Sequence, residues 1–245
     1  MIAMWWRLTL LGLIGSASLA LVDFSQFAQF GESPVDPLLL RLLAVLQPAV
    51  LVALCVALGM WAAPRVGFDA PAVRAWAERR PAWPALRPQF APAAWGGLAI
   101  AVMLVGFWSV VRSQAFAAPV TAFELPLATK LLYGGIVEEL LLRWGVMSLF
   151  VWIAWRLGGG ARPVPAWPIW TGLIASSMLF AAGHLPVLFV LLPDAPAWFV
   201  GMALMGNFIP GMLFGWLFWR RGLEAAMIAH ALAHLLSTAA LALLH

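Results

Sequence analysis

The sequence predicts an all-α, polytopic transmembrane helical bundle, and three observations predict it. Of 245 residues, 64% are hydrophobic and 10% are charged, whereas soluble domains are about a quarter charged. The apolar residues form runs of about 20, the length a helix needs to cross roughly 30 Å of hydrocarbon. Many of the 15 Trp lie near the ends of these runs, as in interfacial aromatic belts. Residues 1–245 are therefore predicted to form a single integral membrane domain in a lipid bilayer.

Seven apolar runs are predicted to span the membrane as helices, because unpaired backbone groups cannot face lipid. The fourth run, of about 32 residues, is too long for one upright helix and should tilt, break or begin outside the membrane. An additional short or re-entrant segment would make eight spans. Bends or close helix contacts are expected at Gly134, Gly135 and Gly145. In chain order the runs are approximately Met4 to Val22, Pro37 to Ala63, Trp95 to Val111, Glu124 to Trp155, Pro168 to Leu192, Trp198 to Trp219, and Leu223 to Leu244.

The distribution of basic residues predicts the orientation. Alternating spans from a cytoplasmic N-terminus leave only Arg41, Arg112 and Lys130 outside, which agrees with the positive-inside rule. The C-terminus is then outside, and the small size and Arg-rich short loops favour a bacterial cytoplasmic membrane. Residues 64–94, rich in Pro and Arg, are predicted to be an irregular cytoplasmic loop. The basic residues on the inner side are Arg7, Arg65, Arg74, Arg79, Arg80, Arg87, Arg156, Arg162, Arg220 and Arg221.

Two features limit the classes of function. The basic residues lie in short loops between apolar runs and do not cluster on a soluble face, so no nucleic-acid partner is expected. The chain has one cysteine, Cys55, so it can form no internal disulfide.

Ionisable groups in the middle of apolar spans need a functional or structural reason, because each costs about 2.5 to 3.5 kcal/mol on insertion scales. In this chain they are few and come from three spans of the C-terminal half, residues 124–245. They are Glu138, Glu139 and Arg143 on the fourth span, His184 on the fifth, and His230 and His234 on the seventh.

Helical spacing suggests how these groups combine. Glu139 and Arg143 are four residues apart, so the guanidinium can pair with the carboxylate on one helix face. Glu138 lies about 100° further round an α-helix and is expected to face a cavity. His230 and His234 also share one face. If that face looks toward Glu138 and His184, the bundle interior contains a carboxylate and three imidazoles around a polar pocket.

The strings Glu138-Glu139-x-x-x-Arg143, Phe180-x-x-x-His184 and His230-x-x-x-His234 resemble the three motifs of a known family. This is the CAAX protease and bacteriocin-processing (CPBP, or Abi) family of intramembrane endopeptidases. The resemblance covers roughly Glu124 to the C-terminus. The family's third motif usually ends in Asn or Asp, whereas this chain has His234.

The resemblance implies a glutamate-dependent protease acting on a peptide or membrane-protein substrate, with no required cofactor. By the same resemblance, Glu138 and His184 activate a water, and His230 with His234 donates hydrogen bonds to the oxyanion. Glu139 and Arg143 support the site. A metal alternative uses the same residues, since Glu138, His184, His230 and His234 are a plausible Zn²⁺ ligand set.

Other classes have less support in the sequence. It contains neither a His-Glu-x-x-His zinc motif nor a Gly-x-Ser-x-Gly nucleophile motif. Its aspartates lie at span ends or in loops, which disfavours an aspartic protease. Two non-enzyme alternatives remain: a proton-coupled transporter, because buried ionisable groups also mark proton pathways, and a noncatalytic membrane scaffold or immunity-type binding protein.

Overall fold

The computed structural model of the protein describes residues 2–24 and 36–244, and every regular element within these ranges is a helix. Six of the described helices, the first taken with its 3₁₀ extension and α8 with α9, are long and apolar enough to cross a membrane. The α-helices are α1 (Ile2–Ala17), α2 (Pro37–Val66), α3 (Pro71–Ala77), α4 (Trp83–Arg112), α5 (Ala118–Ala122), α6 (Leu127–Thr129), α7 (Ser148–Leu157), α8 (Ala166–Gly183), α9 (Leu185–Leu191), α10 (Ala197–Arg221) and α11 (Leu223–Leu244). Short 3₁₀ helices occupy Ser18–Leu21 and Ala115–Ala117.

A continuous helix joins α6 to α7 and corresponds to the predicted fourth span. We call residues 127–157 the central helix. Between α6 and α7 it is π-helical, over Lys130–Glu138 and Leu140–Met147. In a π-helix the backbone bonds run from residue i to i+5, so each turn holds more residues than in an α-helix. With the six apolar helices the central helix makes about seven spans, which agrees with the sequence-based architecture.

The predicted irregular loop at 64–94 is wrong in its extent. Helix α2 continues to Val66, and α4 begins at Trp83, twelve residues before the expected start of the third span. Pro84 lies in the first turn of α4, where a missing N–H costs nothing. Pro88 and Pro92 lie inside α4 at four-residue spacing, so the hydrogen bonds they remove fall along one side of the helix. Prolines that suggested a loop are therefore accommodated within a helix.

The fifth span is interrupted toward its C-terminal end. Helix α8 ends at Gly183, and α9 follows at Leu185 with Pro186 in its first turn. A proline restricts the preceding residue and cannot donate to the turn before it, which ends the longer helix at this point. His184 therefore lies at the junction of two helices.

Glycines allow α11 to pack closely between α4 and the central helix. A Cβ at Gly97 of α4 would lie 2.8 Å from the Ala229 carbonyl oxygen, and a Cβ at Gly135 would lie 2.9 Å from the Cβ of Ala231. Small residues permit such backbone approach between membrane helices. A Cβ at Gly145 would likewise lie 2.7 Å from the Cβ of Cys55 in α2. The glycines of the fourth span therefore serve close helix contacts.

Contacts between helix ends show that the spans alternate in direction. The Arg7 guanidinium lies 4.9 Å from the Trp76 ring, and the Leu223 amide donates to the Asp69 carbonyl. The beginnings of α1 and α11 therefore share one end of the bundle with α3. At the opposite end, the Thr129 hydroxyl donates to the Ser18 carbonyl.

Glu224 connects three helices at the end that contains α3. Its carboxylate accepts a hydrogen bond from the Val73 amide at 2.8 Å and another from Gln89 at 3.3 Å. Val73 lies in the first turn of α3, where free N–H groups favour a negative charge. The side chain of Glu224 therefore holds the start of α11 to both α3 and α4.

Tags placed in the residue 67–82 connector and after the C-terminus should report opposite sides of the membrane. We expect this because the spans alternate and the arginines concentrate at the connector end. Accessibility of the two tags to an impermeant label in sealed vesicles measures it. Labelling of both tags from the same side would contradict the seven-span arrangement.

Candidate active site

A buried ion pair lies on the central helix. The Arg143 Nε atom is 3.1 Å from the Glu139 Oε2 atom, and both side chains are 0% exposed. The Arg143 guanidinium also lies 5.5 Å from the centre of the Phe180 ring of α8. The four-residue spacing thus produces the expected pair, and its complete burial means that neither charge is solvated by water.

His230 of α11 contacts both neighbouring carboxylates of the central helix. Its Nδ1 atom is 2.8 Å from Glu139 Oε1, while its Nε2 atom is 3.7 Å from Glu138 Oε2. Both carboxylates therefore lie against one imidazole, although an α-helix would place their side chains about 100° apart. The π-helical turn reduces the angle between adjacent side chains, so the two carboxylates reach opposite nitrogens of one imidazole.

The two carboxylates differ in their exposure to solvent. Glu138 retains 19% of its side-chain exposure, whereas Glu139 retains none. Glu138 is therefore the carboxylate that water or a substrate can reach. Glu139 can act only through the side chains that it contacts.

Aromatic rings hold the imidazole of His230 in place. Phe214 of α10 stacks on it with ring centres 4.6 Å apart and planes 20° apart. Phe180 of α8 meets it edge to face at 6.2 Å. Both phenylalanines are buried. Two helices, α8 and α10, thus hold the ring of His230, and a third, the central helix, supplies its hydrogen-bond partner.

His184 is exposed, whereas the other candidate residues are buried or half-buried. Its Nδ1 atom is 2.8 Å from the Phe180 carbonyl oxygen, and its ring packs edge to face on the Phe180 ring at 4.8 Å. Phe180 therefore touches His184, His230 and Arg143. The structure brings the three motifs together around this ring, with His184 at the exposed edge.

His234 lies on the same face of α11 as His230, as the spacing predicted. The two imidazoles stack with centres 5.0 Å apart and planes 28° apart. Both approach Gly134 of the central helix, where a Cβ would lie 3.1 Å from His234 Nε2 and 3.4 Å from His230 Nε2. The absence of a side chain at Gly134 lets both imidazoles lie close to the backbone of the central helix.

The metal alternative requires several ligating side chains to be grouped together. Within residues 2–24 and 36–244, no three His, Cys, Asp or Glu side chains are grouped so that they could hold a metal ion. His230 Nδ1 is already hydrogen-bonded to Glu139, and His184 Nδ1 is hydrogen-bonded to the Phe180 carbonyl oxygen.

Several contacts of the site were not foreseen from the sequence. Glu139 and His230 are 91 residues apart, and no spacing rule connects them. Gly134 was expected to serve a bend or a close contact, but its position against two imidazoles depends on how α11 packs. Phe214 belongs to none of the three motifs, so nothing marked it as a neighbour of His230.

Fold and site together define a polytopic helical membrane protein in which glutamate, arginine and histidine side chains meet inside the bundle. Residues 120–236 match the Rce1-like family model, described as type II CAAX prenyl endopeptidase Rce1-like. This match confirms the resemblance to the CAAX protease family and contains all three motifs. Comparisons with curated proteins and with solved structures gave no match.

Replacing Arg143 with alanine should lower folded yield and thermal stability in detergent. The change leaves the Glu139 carboxylate buried without its cation, and breaking a buried pair costs about 3 to 5 kcal/mol. Arg87→Ala, at an exposed position of α4, is the matched control and should leave both quantities unchanged. Wild-type yield and melting temperature for Arg143→Ala would show that the pair does not stabilise the fold.

Proposed function

We propose that this protein is an intramembrane endopeptidase that hydrolyses a peptide bond by glutamate and histidine activation of water. The observation that carries the proposal is the placement of Glu138, partly exposed, beside His230 inside a bundle of membrane-spanning helices. The family match supports proteolysis in general, and the mechanism given below is our proposal for this chain.

Glu138 is the proposed general base. Its carboxylate accepts a proton from a water molecule while the water oxygen attacks the carbonyl carbon of the peptide, and the carbonyl π electrons move to oxygen. When the tetrahedral intermediate collapses, the carbon–nitrogen bond breaks and the leaving amine takes the proton from Glu138. The products are a carboxylic acid and an amine, and Glu138 returns to its ionised form.

His234 is the proposed donor to the oxyanion. Its Nε2 atom lies close to Gly134, one turn of the central helix before Glu138. A donor placed where negative charge develops lowers the barrier by about 3 to 4 kcal/mol. His184 is proposed to act with Glu138 in water activation, from its exposed position at the α8–α9 junction.

The proposed substrate is a peptide or a membrane protein that reaches the site from the bilayer or its surface. The proposed location is the bacterial cytoplasmic membrane, with the N-terminus inside and the C-terminus outside. No step of the proposed chemistry passes through a metal ion, and no cofactor is required.

The Glu138→Gln variant should bind a peptide or membrane-protein substrate but fail to cleave it. The change preserves the shape of the side chain and removes the base, so we expect turnover to fall by at least about a hundredfold. The measurement is cleavage by purified protein in lipid vesicles. Glu78→Gln, on an exposed carboxylate at the end of α3, is the matched control and should cleave like the wild type.

Chelators distinguish the proposed mechanism from the metal alternative. We expect wild-type cleavage to persist in their presence. Loss of activity that Zn²⁺ restores would instead make Glu138, His184, His230 and His234 metal ligands. Full cleavage by Glu138→Gln would eliminate the glutamate mechanism, and substrate binding without cleavage by the wild type would favour a scaffold or transporter.

His234→Asn should retain most of the turnover, and His234→Ala should lose it. Asparagine can donate a hydrogen bond from its amide, as the residue usual in the family does, whereas alanine has no donor. We expect about a hundredfold lower kcat for the alanine variant with little change in KM. Equal kcat for the two variants would contradict the donor role.

A further inference from the structure

The proton on His230 decides what this imidazole can do in the proposed reaction. A neutral imidazole has one nitrogen that donates a hydrogen bond and one that accepts. The hydrogen-bond partner of one nitrogen therefore determines the role of the other. In this structure the partner of Nδ1 is Glu139.

Glu139 acts as an acceptor in this contact. Arg143 lies 3.1 Å from its second oxygen, and Arg143 is always protonated. A carboxylate held by a buried guanidinium stays ionised and offers only lone pairs. His230 Nδ1 must therefore carry the hydrogen in the 2.8 Å bond.

We propose that Glu139 fixes His230 as the Nδ1-protonated form, so that His230 Nε2 accepts a hydrogen bond from the attacking water instead of donating one to the oxyanion. This inference rests on the proposed function and makes Glu139 a positioning residue that acts through His230. It differs from the role that the family resemblance implies for His230, and it leaves the exposed His184 as a partner of Glu138 that accepts no hydrogen bond from this water.

The geometry around His230 Nε2 suits a shared water. Glu138 Oε2 lies 3.7 Å away, too far for a direct hydrogen bond and short enough for one water to contact both atoms. Both atoms are acceptors, and a water has two hydrogens to donate. A water held in this way directs a lone pair of its oxygen away from the two acceptors and toward the substrate carbonyl.

Each hydrogen of that water has a defined fate. The hydrogen bonded to Glu138 is transferred to the carboxylate during attack and later to the leaving amine. The hydrogen bonded to His230 stays on the water oxygen and becomes the hydroxyl hydrogen of the new carboxylic acid. His230 thus orients the water without a net change in its own protonation.

Gly134 lets the backbone of the central helix lie close to both imidazoles. The position that a Cβ of Gly134 would occupy lies 3.1 Å from His234 Nε2 and 3.4 Å from His230 Nε2. A methyl group at residue 134 would therefore crowd the donor that we propose on His234 and the nitrogen of His230 that binds the water.

Nitrogen NMR of the histidine rings tests the tautomer directly. The chain has four histidines, so selective ¹⁵N labelling gives few signals, and those absent from His230→Gln belong to His230. In wild-type protein in lipid nanodiscs, at a pH where it is folded, we expect a protonated Nδ1 and an unprotonated Nε2. A protonated Nε2, in the other tautomer or in an imidazolium, would overturn the inference whether or not the protein cleaves peptides.

Glu139→Gln tests the link between Glu139 and His230. Its amide can present either a donor or an acceptor to Nδ1, so the single tautomer should be lost. We expect kcat to fall about tenfold or more with KM changed less than about twofold, and Glu139→Asp to recover part of the loss. A folded Glu139→Gln protein with wild-type kcat would contradict the inference. If the variant does not fold, the wild-type spectrum still decides.

Gly134→Ala tests whether the two imidazoles must keep their positions. We expect a folded protein with a strong loss of turnover, because the added methyl would push against His234 Nε2 and His230 Nε2. Gly106→Ala in α4, where a Cβ meets nothing within 4 Å, is the matched control. Wild-type turnover in Gly134→Ala would show that turnover does not depend on the positions of these two nitrogens.

Discussion

The arrangement of the site depends on the buried carboxylate of Glu139. One of its oxygens is bonded to Arg143 on the same helix, and the other to His230 on α11. A buried charge is tolerated only when it is paired and its lone pairs are satisfied. The requirement to satisfy both oxygens therefore sets the register between the central helix and α11, and it also sets the direction in which the His230 ring faces.

The rest of the bundle makes this contact geometrically possible. Gly97 and Gly135 let α11 approach its two neighbours closely, and Phe214 and Phe180 hold the His230 ring from α10 and α8. The π-helical turns bring Glu138 to the other side of the same imidazole. Packing and polar pairing thus act together. The partly exposed Glu138 lies beside His230 without being fully buried.

The sequence predicted the architecture well, because its determinants are local. Apolar length is read within one segment, so the helices and the three motifs were placed nearly where the structure has them. The start of α4 was missed because Pro88 and Pro92 are usually taken as helix breakers. The contact of His230 with Glu139 was missed because it joins residues far apart in sequence, and because an α-helical angle was assumed between Glu138 and Glu139.

The central claim is that Glu139 orients His230 so that Nε2 and the Glu138 carboxylate share one water molecule. An experimental structure at a resolution that shows ordered water tests it most directly. We expect a water oxygen about 2.6 to 3.2 Å from both Glu138 Oε2 and His230 Nε2, with the Glu139–His230 Nδ1 bond intact. A His230 ring turned so that Nδ1 no longer faces Glu139, or a water bound to Glu138 without contact to His230, would contradict it.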